Sequence, residues 1–346
     1  MSTQADAPRP SPLRAAIASV DRVWAALALA FAALALIDAR QAADSAVFVA
    51  DAGLGIAPFL LASVAFAAWA AATGADNLIA KAFSGAPAAA ILGAALAGAV
   101  SPFCSCGVIP LIAALLAMGV PLAPVMAFWL ASPVMDPSMF ALTAGTLGVD
   151  FAVAKTLAAL GLGLLGGFGT LALSRGGALS DPLREGVGNG GCGGGKVRAP
   201  ARPVWRFWED PARTAKFGTE ARRSALFLAK WLLLAFLLES LMLAWVPAED
   251  ITSVLGGDGA APVALAALVG VPAYLNGYAA LPLVSGLMEQ GMAPGAAMAF
   301  LVAGGVSSIP AAMAVWALAK PRVFALYLGF ALTGALGAGF AWGAIA

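Results

Sequence analysis

Long apolar stretches separated by short polar segments dominate the pattern of this chain. Most are close to the roughly 20 residues that a helix needs to cross a lipid bilayer. The stretches 86–118 and 261–288 are interrupted, being too long for one crossing and too short for two. The pattern predicts an all-α polytopic membrane protein, with apolar stretches at 23–37, 54–73, 86–118, 121–146, 150–173, 224–246, 261–288, 294–318 and 323–345.

The composition supports a membrane location. Of the 346 residues, 62% are hydrophobic and 11% are charged, whereas soluble domains carry roughly 25% charged residues. The net charge of +1 gives no support for nucleic-acid binding. The chain has no histidine, which excludes histidine-ligated zinc or haem and a histidine general base, and its three cysteines are too few for a disulfide framework. We therefore expect no cofactor, no metal and no enzymatic activity.

An internal repeat divides the chain. Pro110-Leu111 and Met126-Ala127-Phe128 recur as Pro282-Leu283 and Met298-Ala299-Phe300, each 172 residues later. Gly119 and Gly291 share this offset, while upstream Pro102 and Gly107 match Pro272 and Gly277 with a slip of two residues. We predict a cytoplasmic tail (1–22), an N-terminal helix and loop (23–53), repeat 1 (54–173), a cytoplasmic loop rich in glycine and basic residues (174–223) and repeat 2 (224–346).

The charges of the loops predict how the repeats are oriented. Loops that remain in the cytoplasm collect Lys and Arg, and the 174–223 loop carries ten basic residues against five acidic ones. The 38–53 and 247–260 segments are predominantly acidic. If each interrupted stretch is a re-entrant hairpin, every basic loop lies inside and every acidic loop outside; if each stretch crosses, the ten-charge loop lies outside. The pattern thus favours re-entrant hairpins and inverted repeats, which are typical of secondary transporters.

The first interruption carries the main chemical signal, in the string Ser101-Pro102-Phe103-Cys104-Ser105-Cys106-Gly107. Pro102 and Gly107 disfavour a continuous helix. On extended backbone, Cys104 and Cys106 would share one face. Paired thiolates select soft, thiophilic species, although both cysteines would also fit as small side chains that fill a tight bend.

The same region resembles a known family. The string SPFCSCGVIP, followed by Gly119, Pro121 and the run Trp129-Leu130-Ala131-Ser132-Pro133, is similar to the predicted permease family that contains the ArsP organoarsenical efflux permeases. The resemblance covers about residues 50–345 and implies an inner-membrane permease. In the ArsP branch it implies export of trivalent organoarsenicals such as methylarsenite, although many members are named only as permeases. One methyl group on trivalent arsenic leaves two bonds for the two cysteines.

Other polar or helix-breaking residues lie within the predicted spans. Asp136 and Glu239 are candidates for proton coupling, because an ionisable group within a span is a functional hypothesis by default. The alternative for Asp136 is a hydrated position near an interface. Lys155 and Lys230 are expected to extend to the membrane surface. Candidate substrate contacts beside the cysteines are Ser105, Ser132, Asn276, Ser307 and Ser308, and the predicted backbone breaks are Pro102, Gly107, Pro133, Pro137, Gly277 and Gly304.

Two features of the 174–223 loop complete the predictions. Cys192 lies in a glycine run typical of flexible linkers; it is either a site that captures thiophiles or an incidental thiol. The segment 204–208 and the basic residues after it interleave aromatic and positive side chains, which favours contact with anionic lipid. The expected partners are a small-molecule solute and the lipid bilayer. Two alternatives remain: a permease for another solute with structural cysteines, and a membrane dithiol redox protein, which the C-x-C spacing disfavours.

Overall fold

A computed structural model describes residues 22–74, 86–101, 105, 107–117, 119–174, 179, 181–184, 204–245, 259–273 and 277–346. These residues are predominantly helical, as the apolar pattern predicts. The helices are α1 (Arg22–Ile37), α2 (Ala39–Thr73), α3 (Pro87–Val100), α4 (Ile109–Ala117), α5 (Leu122–Ala131), α6 (Pro137–Leu147), α7 (Val149–Ser174), α8 (Pro211–Trp245), α9 (Ala260–Ala273), α10 (Gly277–Glu289), α11 (Pro294–Ser307), α12 (Ile309–Leu318) and α13 (Pro321–Gly343).

Four helical segments among the described residues are long and apolar enough to cross a membrane. They are Val149–Ser174, Pro211–Leu241, Pro294–Leu318, which joins α11 and α12, and Pro321–Gly343. A fifth is added if the two halves of α2, which meet at a bend of 49°, count as one span. The prediction of an all-α polytopic membrane protein is confirmed.

The repeat is visible in the helix boundaries. Helices α11, α12 and α13 each begin 172 residues after α5, α6 and α7, respectively. The tightest helix contacts repeat as well. A Cβ at Gly98 would lie 2.8 Å from the Phe128 carbonyl oxygen, and a Cβ at Gly270 would lie 2.7 Å from that of Phe300. Because Gly98 and Gly270 precede the interruptions, the offset of 172 also holds upstream, and the predicted slip of two residues is wrong for the helices.

Equivalent helices of the two repeats run in opposite directions. In the pair α7 and α13, Leu162 lies against Gly334 while Gly169 lies against Phe330, so one helix ascends as the other descends. Helices α2 and α8 are also antiparallel: the Ala72 carbonyl accepts a 2.7 Å hydrogen bond from Arg213, and Ser240 donates one of 2.9 Å to Ser45. The two repeats are therefore inverted.

The interrupted stretch of repeat 1 returns to the side where it starts. Ile91 near the start of α3 and Ala123 near the start of α5 both lie against Gly167, while Gly98 further along α3 lies against Phe128 further along α5. Helices α3 and α5 thus run in the same direction from the same end of α7. The chain between them must come back through α4, so α3 and α4 form a re-entrant hairpin.

Repeat 2 has the same arrangement. Val263 in α9 and Gly295 at the start of α11 both lie against Gly339, and Gly270 lies further along against Phe300. Each first arm has 14 residues, which is about 21 Å of helix and less than the roughly 30 Å of the hydrocarbon core. Both hairpins are therefore too short to cross the bilayer.

Two predicted loop boundaries are wrong. The 38–53 segment belongs to α2 rather than to a loop, and α8 begins at Pro211, inside the predicted 174–223 loop. The reason is the pairing of α2 with α8. Each has 35 residues, which corresponds to about 52 Å of helix, so both extend beyond the apolar core. Their polar ends are helical because each continues against the other.

The loop between the repeats is attached to both of them. On repeat 2, the Arg184 backbone donates to the Leu318 carbonyl (3.0 Å) and its guanidinium to that of Ala319 (2.9 Å). Arg184 also lies over the Trp316 ring, and Lys320 forms an ion pair with Asp181. On repeat 1, Trp205 stacks on Trp69 beside the carbonyls at the end of α2. The loop segments 181–184 and 204–210 therefore lie at one end of α12 and one end of α2, respectively.

Candidate functional site

The broken elements of the two repeats meet each other. The second arm of hairpin 1, α4, packs against α12, and the second arm of hairpin 2, α10, packs against α6. Helices α6 and α12 are the segments that follow the breaks in the two broken spans. Each hairpin thus meets the broken span of the other repeat, and we locate the candidate site at these two contacts.

In repeat 1 the broken span is open over five residues. Helix α5 ends at Ala131 and α6 begins at Pro137. Pro133 and Pro137 lack the N–H groups that would continue the hydrogen-bond ladder, and Pro137 is favourable as the first residue of the new helix. Ser132, a predicted substrate contact, is buried at the C-cap of α5. The predicted breaks at Pro133 and Pro137 thus lie in the opening and at the start of the next helix.

Asp136 caps the helix that follows this break. Its Oδ1 accepts hydrogen bonds from the backbone N–H groups of Ser138 (2.8 Å) and Met139 (2.9 Å) and one from the Ser138 hydroxyl. The side chain is half-buried. A carboxylate at this position stabilises the otherwise unpaired N–H groups of the first helical turn and the positive end of the helix dipole. Asp136 therefore has a structural role, whatever else it does.

In repeat 2 the break is one residue long. Helix α11 ends at Ser307 and α12 begins at Ile309, with Ser308 between them. Gly304 is not a break, because its carbonyl accepts the Ser308 backbone N–H at 3.0 Å. The interruption comes from Pro310, which has no N–H to offer the Val306 carbonyl four residues earlier. The hydroxyl of Tyr327 donates to that carbonyl at 2.8 Å.

The serines predicted as substrate contacts in repeat 2 are both buried. Ser307 donates its hydroxyl to the Ala303 carbonyl at 2.7 Å, within its own helix. Ser308 is the N-cap residue of α12, but its side chain makes no capping hydrogen bond. Both side chains therefore lie at the break of repeat 2. The Ser307 hydroxyl is hydrogen-bonded within its own helix, whereas the Ser308 hydroxyl does not cap α12.

The hairpin tips are described only in part. Ser105 is half-buried, and Gly107 is buried in the turn before α4. Gly277 begins α10. Ser101, at the end of α3, is buried and its hydroxyl has no hydrogen-bond partner. Pro102, Cys104, Cys106, Asn276 and Cys192 lie outside the described residues.

Glu239 lies away from the two breaks, in α8. It is 2% exposed, and its Oε2 has no hydrogen-bond partner. Its neighbour Ser240 joins a short polar chain on α2, in which Gln41 donates to Ser45 at 3.1 Å. The structure therefore does not group Glu239 with Asp136: one lies in the α2–α8 pair and the other in the α5–α6 break.

Lys155 is the residue that the sequence interpretation misplaced. It does not extend to the membrane surface: it is fully buried in α7, and its Nζ has no hydrogen-bond partner. The internal repeat holds the signal that identifies it, since the offset of 172 aligns Lys155 with Tyr327 and Asp136 with Ser308. An acidic and a basic residue of repeat 1 thus occupy the positions of a serine and a tyrosine in repeat 2.

These features define a class of membrane protein. Inverted repeats with broken helices that meet inside the protein are the architecture of secondary transporters. The chain matches the model of the ArsP_1 family, described as "Predicted permease", over residues 45–341. It belongs to this predicted permease family, as the resemblance of the SPFCSCGVIP region implies. Searches of curated proteins and of solved structures each return no match.

Proposed function

We propose that this permease exports a small thiophilic solute, a trivalent organoarsenical such as methylarsenite, across the inner membrane in exchange for protons. The observation that carries the proposal is the meeting of α4 with α12 and of α10 with α6. Irregular backbone within a membrane is tolerated where it is buried in protein or lines an aqueous cavity. In the sequence, Cys104 and Cys106 fall between the end of α3 at Val100 and the start of α4 at Ile109.

The orientation of the chain in the membrane is proposed from the charges of its loops. We place in the cytoplasm the 174–223 loop, which carries ten basic residues against five acidic ones, and the α12–α13 turn with Lys320 and Arg322. Ala346 would then be outside, because α13 leads away from that turn. A reporter active only in the cytoplasm should be silent when fused after Ala346. Activity of this fusion would contradict the topology.

Proton coupling is proposed at Asp136. Asp136 lies between two helix segments. A proton on its carboxylate would change the charge at the break and leave the backbone hydrogen bonds in place. Glu239 is the second candidate, because it is a carboxylate buried among helices. Asp136→Asn should leave substrate binding intact and abolish accumulation driven by a proton gradient. Normal transport by this variant across a range of pH would assign the coupling elsewhere.

The test of the substrate uses everted membrane vesicles, whose cytoplasmic face is outside. Vesicles with the parent chain should accumulate methylarsenite under an imposed proton gradient and take up less inorganic arsenite, which needs a third sulfur. Cells that express the chain should also resist methylarsenite. A solute other than an arsenical that is accumulated instead would support the generic permease, and dithiol redox activity without transport would support the redox alternative.

A further inference from the structure

Lys155 lies inside the helix packing, where an isolated ammonium is unfavourable. Lys155 is seven residues before Leu162 in α7, or about 10 Å along the helix. Leu162 lies against Gly334, where α7 and α13 pack. Lys155 is fully buried, and its Nζ has no hydrogen-bond partner among the residues that the structure describes. Charged residues within a span are expensive and usually mark a functional site. A buried cation of this kind requires a counter-charge, a water molecule or a ligand.

Asp136 is the carboxylate that can supply that counter-charge. Helices α5 and α7 run antiparallel, with Gly167 against Ala123 and Gly163 against Ala131, so Lys155 lies further along α7 toward the α5–α6 break that ends at Asp136. The helices packed against α7 are α3, α5, α6, α11 and α13, and within their bounds the one charged residue is Arg322. Arg322 lies at the opposite end of α7, because α13 runs antiparallel to it. On α7 itself, the other charged residue is Asp150, which is exposed in the first turn.

The carboxylate of Asp136 has one oxygen to spare. All three of its hydrogen bonds to the start of α6 go to Oδ1. Oδ2 takes no part in them, so it can meet a cation while Oδ1 still caps the helix. The five residues between α5 and α6 allow α6 to change its angle to α7, which would bring Oδ2 to Lys155 or move it away.

Repeat 2 shows what the same position does without charges. Tyr327 replaces Lys155 and donates its hydroxyl to the Val306 carbonyl, closing the one-residue break. Ser308 replaces Asp136. The base and the acid are thus both present in repeat 1 and both absent from the corresponding places in repeat 2. Their joint occurrence is expected of a pair and is not explained by capping, which needs only Asp136.

We propose that Lys155 is the working counter-charge of Asp136, and that the two form an ion pair across the α5–α6 break in one conformation of the transport cycle and separate in another. The proposal rests on the proposed function of this break. A proton on Asp136 Oδ2 would neutralise the carboxylate and release Lys155, while Oδ1 continued to cap α6. Lys155 would thereby couple the proton to the movement of α6.

The experiment is a double-mutant cycle with two measurements. The variants are Asp136→Asn, Lys155→Met and the double substitution, with Lys230→Met on α8 as the matched lysine control. Asn keeps the cap and Met keeps the length of the side chain. The first measurement is the melting temperature of the purified full chain. The second is the accumulation of methylarsenite in everted vesicles with and without a proton gradient.

The pair should show itself in both measurements. Asp136→Asn should lower the melting temperature, because it leaves Lys155 as a lone buried charge, and adding Lys155→Met should restore part of that loss. Each single variant and the double should lose the gradient-driven part of accumulation, while Lys230→Met should keep it. Strictly additive melting shifts, or full gradient-driven accumulation in Lys155→Met, would overturn the proposal.

The two proposals can fail separately. If the parent chain accumulates no methylarsenite, the proposed substrate is wrong, and the melting temperatures still decide whether the two charges interact. If Lys155→Met fails to fold, the double variant Asp136→Ser with Lys155→Tyr introduces the two residues of repeat 2. This variant should fold and should not couple; gradient-driven accumulation equal to that of the parent would overturn the inference.

Discussion

The break in repeat 1 and the break in repeat 2 are built on the same frame but differ in chemistry. Both begin at the same register, and the helices on either side pack through the same glycine contacts. Repeat 1 opens over five residues, with the Asp136 carboxylate capping the next helix and Lys155 buried in α7. Repeat 2 opens one residue and is closed by a tyrosine hydroxyl. Asp136 and Lys155 thus have no charged counterparts in repeat 2, although the helices around the two breaks pack in the same way.

Prolines account for the difference in length. Repeat 1 has Pro133 and Pro137, which remove two steps of the hydrogen-bond ladder, and the corresponding residues of repeat 2 are Gly305 and Ile309. These keep their N–H groups, so α11 continues to Ser307. Repeat 2 has only Pro310, whose effect on the Val306 carbonyl is compensated by Tyr327. Under our proposal, the break in repeat 1 changes conformation when Asp136 takes up a proton, and the break in repeat 2 does not.

Substitution of the two cysteines between α3 and α4 should have the largest effect, a loss of methylarsenite resistance. Cys104→Ser, Cys106→Ser and the double variant should each lose methylarsenite resistance to a similar degree, because one sulfur alone cannot chelate arsenic and members of one unit fail together. Asn276→Ala, in the second hairpin, should lose less, since an amide makes no bond to arsenic. Growth against a methylarsenite series measures the effect, with Cys192→Ser as the control. Serine variants as resistant as the parent would make the cysteines structural.

The shared frame should respond equally in the two repeats. Gly98→Ala and Gly270→Ala each place a methyl group against a backbone carbonyl, at 2.8 and 2.7 Å, and forcing an extra methyl group into a packed interface costs about 1–3 kcal/mol. Gly93→Ala and Gly286→Ala are matched controls, because no atom lies within 4 Å of the added group. Thermal melting of the purified chain measures the effect. A large difference between Gly98→Ala and Gly270→Ala would disprove the equivalence.

The closing contact of repeat 2 should be worth less. Tyr327→Phe removes the hydroxyl that satisfies the Val306 carbonyl and leaves this buried acceptor unpaired, which costs about 1–2 kcal/mol. The ring contact with Trp129 would remain. The melting temperature should fall, and coupling to the proton gradient should persist because no charge is lost. Loss of coupling would show that the second break is also responsive.

The two N-caps should differ by the smallest amount. Asp136→Ala removes a side chain that accepts three hydrogen bonds at the start of α6, and loss of a cap costs about 0.5–2 kcal/mol. Ser308→Ala should change stability little, because the Ser308 side chain makes no capping bond. Denaturation of both variants under the same conditions tests this order. An equal loss in both would contradict the structural difference between the caps.

Part of the site follows from local chemistry and part does not. Pro133 and Pro137 mark the break in repeat 1, since a missing N–H acts within one helical turn. Gly304, by contrast, does not mark a break. Glycine weakens a helix without removing a hydrogen bond, and the buried α11 continues through Gly304. Pro310, the last residue of the segment 304–310 that the sequence predicts as the break of repeat 2, is the residue that interrupts the ladder.

The sequence by itself determined the all-α membrane class, the family, the repeat and, through its basic loops, the preference for re-entrant hairpins. These depend on apolar length, on proline and on charge, which act locally or add up along the chain. Only the tertiary structure decided that α2 and α8 extend through the 38–53 and 211–223 segments, and that Lys155 is enclosed rather than at the surface. Whether a helix end is covered, or a lysine reaches water, depends on which neighbour packs against it.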